Sequence, residues 1–147
     1  RIDHQDWKLI IAGSGNDTDK LKAMAQKLGL NKNVAFVGWV DSKKNYEYYC
    51  RSKIYVSIPK SDSVSLSLVE GIISGCIPFV SNLAANQELV NSDLGFIVDD
   101  LENIPFEKYE EIDKELFEMK KKYVKKYFSK EFNRDKYISL YKRANEN

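Results

Sequence analysis

Histidine and cysteine are nearly absent from this chain: one histidine, His4, and two cysteines, Cys50 and Cys76, in 147 residues. The cysteines stand far apart in unrelated surroundings, which argues against a disulfide framework and against a zinc site. No His, Cys, Asp or Glu positions recur at metal-ligand spacing, so no metal and no cofactor is expected. No apolar run approaches the roughly 18 residues that a spanning helix needs. The start, Arg1 to Lys8, is polar and has none of the apolar run of a secretory signal. Charge of one sign is lacking too: 23 Lys and Arg face 22 Asp and Glu, a formal net charge of +1. A general nucleic-acid binder shows a basic excess, so nucleic acid is not expected as a partner. A reducing cytoplasm is the default location.

What is present is ordinary for one globular domain: 43% hydrophobic and 31% charged residues. All seven glycines lie between Trp7 and Asp99. From Leu101 onward the chain is dense in Glu, Lys, Tyr and Phe. The shift predicts an α/β core over 1–100 and a helical tail over 101–147 within a single domain.

Along the core, short apolar runs alternate with helical periodicity. Trp7–Ala12 reads as a buried strand that turns at Gly13-Ser14-Gly15. Asp17 or Thr18 caps a helix with Leu21, Met24, Ala25 and Leu28 on one face, stopped by Gly29. Strands follow at Asn33–Val37, Lys53–Ile58, Cys76–Ser81 and Gly95–Val98. Helices are predicted at Asn45–Cys50, at Ser61–Gly75 after a polar beginning, and at Ala84–Val90. The tail predicts helices over Pro105–Tyr127 and Lys130–Ala144. Near-continuous apolar strands between helices are the pattern of a parallel, Rossmann-like sheet covered on both faces. Such sheets bind ligands beyond the carboxyl ends of their strands. The loops of interest are therefore Gly13–Asp17, Gly38–Lys43, Pro59–Ser65 and Ser81–Ala85.

One segment combines several useful groups: Ser61-Asp62-Ser63-Val64-Ser65-Leu66-Ser67-Leu68-Val69-Glu70-Gly71. It leaves a strand and opens a helix, so unpaired N–H groups and the positive end of the helix dipole suit a phosphate. Ser63 and Ser65 are small enough to let an anion approach the backbone. Glu70, eight residues after Asp62 and about two turns into the helix, has two acceptor oxygens suited to the vicinal hydroxyls of a ribose. Asp62 stands where it would meet a sugar beyond the phosphates. An Asp or Ser ahead of a helix is also a common plain N-cap, and spacing alone leaves both readings open.

The ordered set of motifs resembles a known family. Ala12-Gly13-Ser14-Gly15, Asn33-Val34-Ala35-Phe36-Val37-Gly38, the Asp62/Glu70 pair, Gly75-Cys76-Ile77-Pro78-Phe79-Val80, Asn86-x-Glu88-Leu89-Val90 and Gly95-Phe96-Ile97-Val98 occur in sequence. Together with the closing Phe128-Ser129 and Leu140-Tyr141, they resemble the C-terminal, donor-binding domain of retaining GT-B glycosyltransferases of the group-1, sucrose-synthase and mannosyltransferase-like family. Asp62 replaces the family's first Glu, and Val64-Ser65 its Phe-Gly, which leaves the transferred sugar open.

The resemblance implies a hexosyltransferase domain that binds a nucleotide-diphosphate sugar as substrate, in polysaccharide or glycoconjugate biosynthesis. The acceptor, a glycan or lipid-linked glycan, would meet it through an N-terminal domain absent here, with retention of configuration. Carried over by position, Asp62 grips the sugar, with Ser63 and Val64 beside it. The backbone of Ser65, Leu66 and Ser67 holds the diphosphate, Glu70 the ribose, and Val40 the base. No catalytic residue is assigned within this fragment, and His4 is given no role. The alternatives are a nucleotide-sugar epimerase of similar fold and a non-catalytic nucleotide-binding or scaffold domain. Arg1-Ile2-Asp3-His4-Gln5 resembles the Arg end of the family's Gly-Arg-x5-Lys segment, yet Asp6 follows where a helix is expected. Lys120–Lys126 reads as a solvated helix face balanced by Glu110, Glu111, Glu115 and Glu118. Its other reading is peripheral contact of the full-length enzyme with the inner face of the membrane.

Overall fold

The computed structural model describes residues 7–63, 65–100 and 104–145. Two compact units make up the chain, Arg1–Arg51 and Ser52–Asn147. Each has its own parallel sheet, a division that the pattern of apolar runs does not reveal.

In the first unit β1 (Leu9–Ala12) and β2 (Val34–Gly38) pair in parallel, with Leu9 opposite Val34 and a register shift between Ile11 and Ala12. The Asn33 side chain donates to the Trp7 carbonyl at 2.9 Å and fixes where that register begins. Between the strands runs α1 (Thr18–Lys27). Asp17 is its N-cap by position but makes no capping bond; instead the Thr18 hydroxyl accepts from the Gly15 amide at 2.9 Å. Gly29, just past the helix, takes φ 70°, as its predicted role as a helix stop requires.

The burial predicted for β1 does not hold, and the apolar face of α1 is mostly exposed as well. Leu9, Ile10, Leu21, Met24 and Leu28 are exposed, and Ala25 is the residue of α1 that is buried. A two-stranded sheet offers too little apolar surface to cover them. The unit ends with α2 (Ser42–Arg51), on which Tyr46 is exposed while Tyr48 and Tyr49 are half-buried.

The second unit carries the core. Its parallel strands β3 (Ile54–Ser57), β4 (Ile77–Ser81) and β5 (Phe96–Val98) lie in that order, with Tyr55 opposite Pro78 and Phe79 opposite Phe96. Between β3 and β4 runs α3 (Leu66–Ile73), which buries Leu68, Val69 and Ile72. These three join Val80 of β4 and Phe117 and Val124 of α5 (Lys114–Tyr127) in one apolar cluster. Phe79 and Phe96 stack with ring centroids 4.7 Å apart, and Phe106 closes on Phe79 at 5.2 Å. Gly95 permits a close approach: a Cβ there would collide with the Pro78 carbonyl oxygen. Between β4 and β5 lies the short α4 (Ala84–Leu89).

The helix predicted over Pro105–Tyr127 proves to be two elements. A 3₁₀ segment, Phe106–Glu111, ends at the extended and buried Ile112, and α5 starts afresh. The Asp113 carboxylate sets that start by accepting from the Leu116 amide at 2.9 Å. The last helix, α6 (Lys130–Asn145), begins with the Ser129 hydroxyl accepting from the Phe132 amide at 3.2 Å.

Two leucines two residues apart on α3 test this packing. Leu68 is 1% exposed and Leu66 73%. Leu68→Ala is expected to cost about 2–5 kcal/mol, and Leu66→Ala under about 0.5 kcal/mol. Chemical denaturation of the two variants checks the contrast.

Candidate functional site

The donor-site residues expected from the sequence fall in both units. Val40 is half-buried in the first, between exposed Trp39 and Asp41. Asp41 accepts from the Lys44 amide at 2.7 Å and so caps α2. On the surface of α2, Lys44 pairs with Glu47 at 2.7 Å, and that bond raises the ammonium above its ordinary range.

The remaining candidates lie at the carboxyl end of β3 and the start of α3. Lys60 to Ser63 are exposed loop, and Val64 lies outside the described residues, as do His4 and the rest of 1–6. The Asp62 carboxylate accepts from the Ser63 amide at 2.8 Å, which holds one of its oxygens back against the loop. The helix then begins at Leu66, later than its polar preface suggests. Glu70 therefore sits little more than one turn above the first residue of α3, not two; at 1.5 Å per residue the axial offset is about 6 Å. Leu66 and Glu70 share a helix face, being four residues apart. Glu70 is exposed and makes no side-chain bond to any described residue.

The first turn of α3 is open. Ser65 is the N-cap residue, extended at φ −73° and ψ 121°, yet its side chain caps no amide of the turn. Its hydroxyl instead meets the Ser67 hydroxyl at 2.7 Å, which in turn meets the Tyr55 hydroxyl at 2.7 Å. The Ser65 carbonyl takes the amides of Leu68 and Val69, at 3.1 and 3.3 Å. The amides of Leu66 and Ser67 are left without an acceptor among the described residues. Free N–H groups with the positive end of a helix dipole behind them are the chemistry that favours an anion. Glu70 supplies two acceptor oxygens one turn along, and Asp62 supplies carboxylate on the loop. The structure thus brings Ser65, Leu66, Ser67 and Glu70 onto one helical end, with Asp62 and Ser63 on the loop leading in.

One residue of this end was not found from the sequence: Tyr55, since nothing in an apolar strand marks a tyrosine for a bond to a helix twelve residues on. Ser81, which opens one of the loops of interest, is 8% exposed at the carboxyl end of β4; its hydroxyl is buried without a hydrogen-bond partner among the described residues. Its carbonyl accepts from the Asn86 side chain at 2.8 Å. Among the described residues no group of three or more His, Cys, Asp or Glu gathers as a metal would require, and no helix is long and apolar enough to cross a membrane.

Comparison with known proteins gives a consistent outcome. The family model described as glycosyl transferases group 1 matches residues 1–104. An alpha-monoglucosyldiacylglycerol synthase of Streptococcus pneumoniae is 28% identical over 86 residues, 54% of this chain and 20% of that protein. An uncharacterized glycosyltransferase of Methanocaldococcus jannaschii is 24% identical over 96 residues, 65% of this chain and 25% of that protein. The chain therefore spans a fifth to a quarter of the length of these relatives. Among solved structures, the catalytic domain of cholesterol-alpha-glucosyltransferase from Helicobacter pylori superposes with a TM-score of 0.64 at 25% identity. That match covers 82% of this chain and 77% of the other. A chain of a GtfA/B complex superposes with a TM-score of 0.74 at 17% identity, over 95% of this chain and 30% of the other, a likeness of fold alone.

The buried Ser81 hydroxyl gives this region a simple test. Ser81→Ala removes an unsatisfied polar atom, so thermal stability is expected to hold or rise slightly. A fall of several degrees in melting temperature would show that the hydroxyl has a partner.

Proposed function

This chain belongs to the group 1 glycosyl transferases and has the architecture of a GT-B C-terminal domain, and on that premise we propose that it binds a nucleotide-diphosphate sugar at the start of α3. The observation that carries the proposal is the open first turn, where the N-cap hydroxyl turns aside and the Leu66 and Ser67 amides have no acceptor among the described residues. A diphosphate carries the charge and the acceptor oxygens that such a turn lacks. Glu70, one turn further, takes the ribose hydroxyls. Asp62, with Ser63 beside it on the loop and Val64 carried over by sequence position only, takes hydroxyls of the sugar on the far side of the phosphates. Val40, in the first unit, is carried over by sequence position alone as the residue whose backbone would meet the base.

In the intact enzyme this domain holds the donor while a second domain brings the acceptor, and a hexosyl group passes with retention of configuration. Charge on the departing nucleoside diphosphate is met by fixed N–H and O–H donors, with no metal required. Two of the relatives named above carry a glucosyl group and a lipid in their names, which favours glucose as the sugar and a lipid or lipid-linked glycan as the acceptor. Transfer to such an acceptor would take place at the cytoplasmic face of a membrane.

Calorimetric titration of the intact protein with UDP, GDP and ADP and their hexose conjugates tests the proposal. One nucleotide series is expected to bind. Glu70→Ala should weaken both the free nucleotide and its conjugate by about ten- to a hundredfold, as loss of a charge-assisted bond to the ribose implies. Asp62→Ala should leave the free nucleotide unchanged and weaken only the conjugate. Failure of the intact protein to bind any member of the panel would sink the proposal.

A further inference from the structure

We propose that Tyr55 is a positioning residue for the diphosphate cradle, setting the direction of a hydroxyl relay that ends in a donor from Ser65. The inference rests on the donor-binding reading above. Tyr55 comes from β3, outside the helix and loop that would touch the ligand. Its ring lies along the inner side of α3 against Gly71, where an added Cβ would stand 3.2 Å from the ring carbons. Gly71 and Ser67 are four residues apart and so share one helix face. A ring passing under the bare Gly71 therefore reaches the first turn, and its hydroxyl meets Ser67 at 2.7 Å. Ser67 passes the contact on to Ser65, again at 2.7 Å.

Each of the three hydroxyls carries one hydrogen to give. The phenol is the most acidic of them and so the best donor. When Tyr55 donates to Ser67, and Ser67 to Ser65, the Ser65 hydrogen is free to point at an acceptor beyond the helix. An anion seated on the Leu66 and Ser67 amides is such an acceptor, and it favours that one direction for the whole relay. Hydroxyls donating head to tail polarise one another, so the terminal donor gains strength from the two behind it. The arrangement also explains why Ser65 does not cap its own helix. Its oxygen is occupied by Ser67, and the amides that a capping side chain would fill stay open. Without the phenol, the Ser67 hydroxyl is released among its staggered rotamers and the relay loses its direction.

Titrations of the intact protein with the nucleoside diphosphate it prefers, and with the matching nucleoside, test the proposal on Tyr55→Phe and Ser67→Ala. Phenylalanine keeps the ring on Gly71 and removes only the hydroxyl. Diphosphate affinity is expected to fall about three- to tenfold in each variant, with nucleoside affinity within twofold of the parent. Because both changes break one relay, the double variant should lose little more than either alone. Unchanged diphosphate binding by Tyr55→Phe would overturn the inference while leaving the donor site standing. Equal losses for diphosphate and nucleoside would also overturn it, since they would show a general role in folding. If the parent protein bound no nucleotide, the donor-site reading would fall and this inference with it.

Discussion

Everything proposed for this chain depends on one mismatch: the first turn of α3 presents more N–H donors than the described residues supply acceptors for. A helix start in water is normally closed by a side-chain cap, worth about 1 kcal/mol. Ser65 stands in the capping position with the right side chain and does not cap. Its hydroxyl is drawn into a contact with Ser67 and, through it, Tyr55. The polar demand of the turn is thereby directed outward, and the loop before it stays exposed.

An open turn is useful only if it does not move, and the rest of the second unit supplies that rigidity. Leu68, Val69 and Ile72 are buried directly behind the turn, against Val80, Phe117 and Val124. The anchoring residues begin within the first turn itself, so the exposed end and the buried face belong to the same few residues. On the sheet, the Phe79–Phe96 stack and the close approach of Gly95 to Pro78 tie β4 to β5. The tail contributes too. Because the chain breaks at Ile112 and restarts at Asp113, α5 can place Phe117 and Val124 in the same cluster.

Much of this was legible in the sequence, for physical reasons that also mark where legibility ends. Strands were readable because parallel strands buried on both faces are nearly continuous in apolar residues, as at Ile77–Ser81. The loop between β3 and α3 was readable in outline, since small polar residues between an apolar strand and a helical pattern are seldom there for packing alone. The start of α3 was not, because Ser, Asp and Val in Ser61–Ser65 suit a first helical turn as well as a loop. That later start leaves Glu70 little more than one turn above the first residue of α3. The break at Ile112 was hidden inside a region of unbroken helical composition, where one Asp cap decided the outcome. Burial of β1 was overestimated because an apolar run reports a preference for cover, not the area available to provide it. Tyr55 was invisible because its role depends on Gly71, sixteen residues away and meaningful only once strand and helix are stacked.

The most direct measurement is of the two amides themselves. With leucine and serine ¹⁵N-labelled in the intact protein, the Leu66 and Ser67 amide resonances can be followed as a nucleoside diphosphate is added. The account predicts that these two resonances move furthest among the labelled residues, toward the positions of amides bonded to an anion. Saturable binding that leaves both where they began would place the diphosphate elsewhere and contradict the account at its centre.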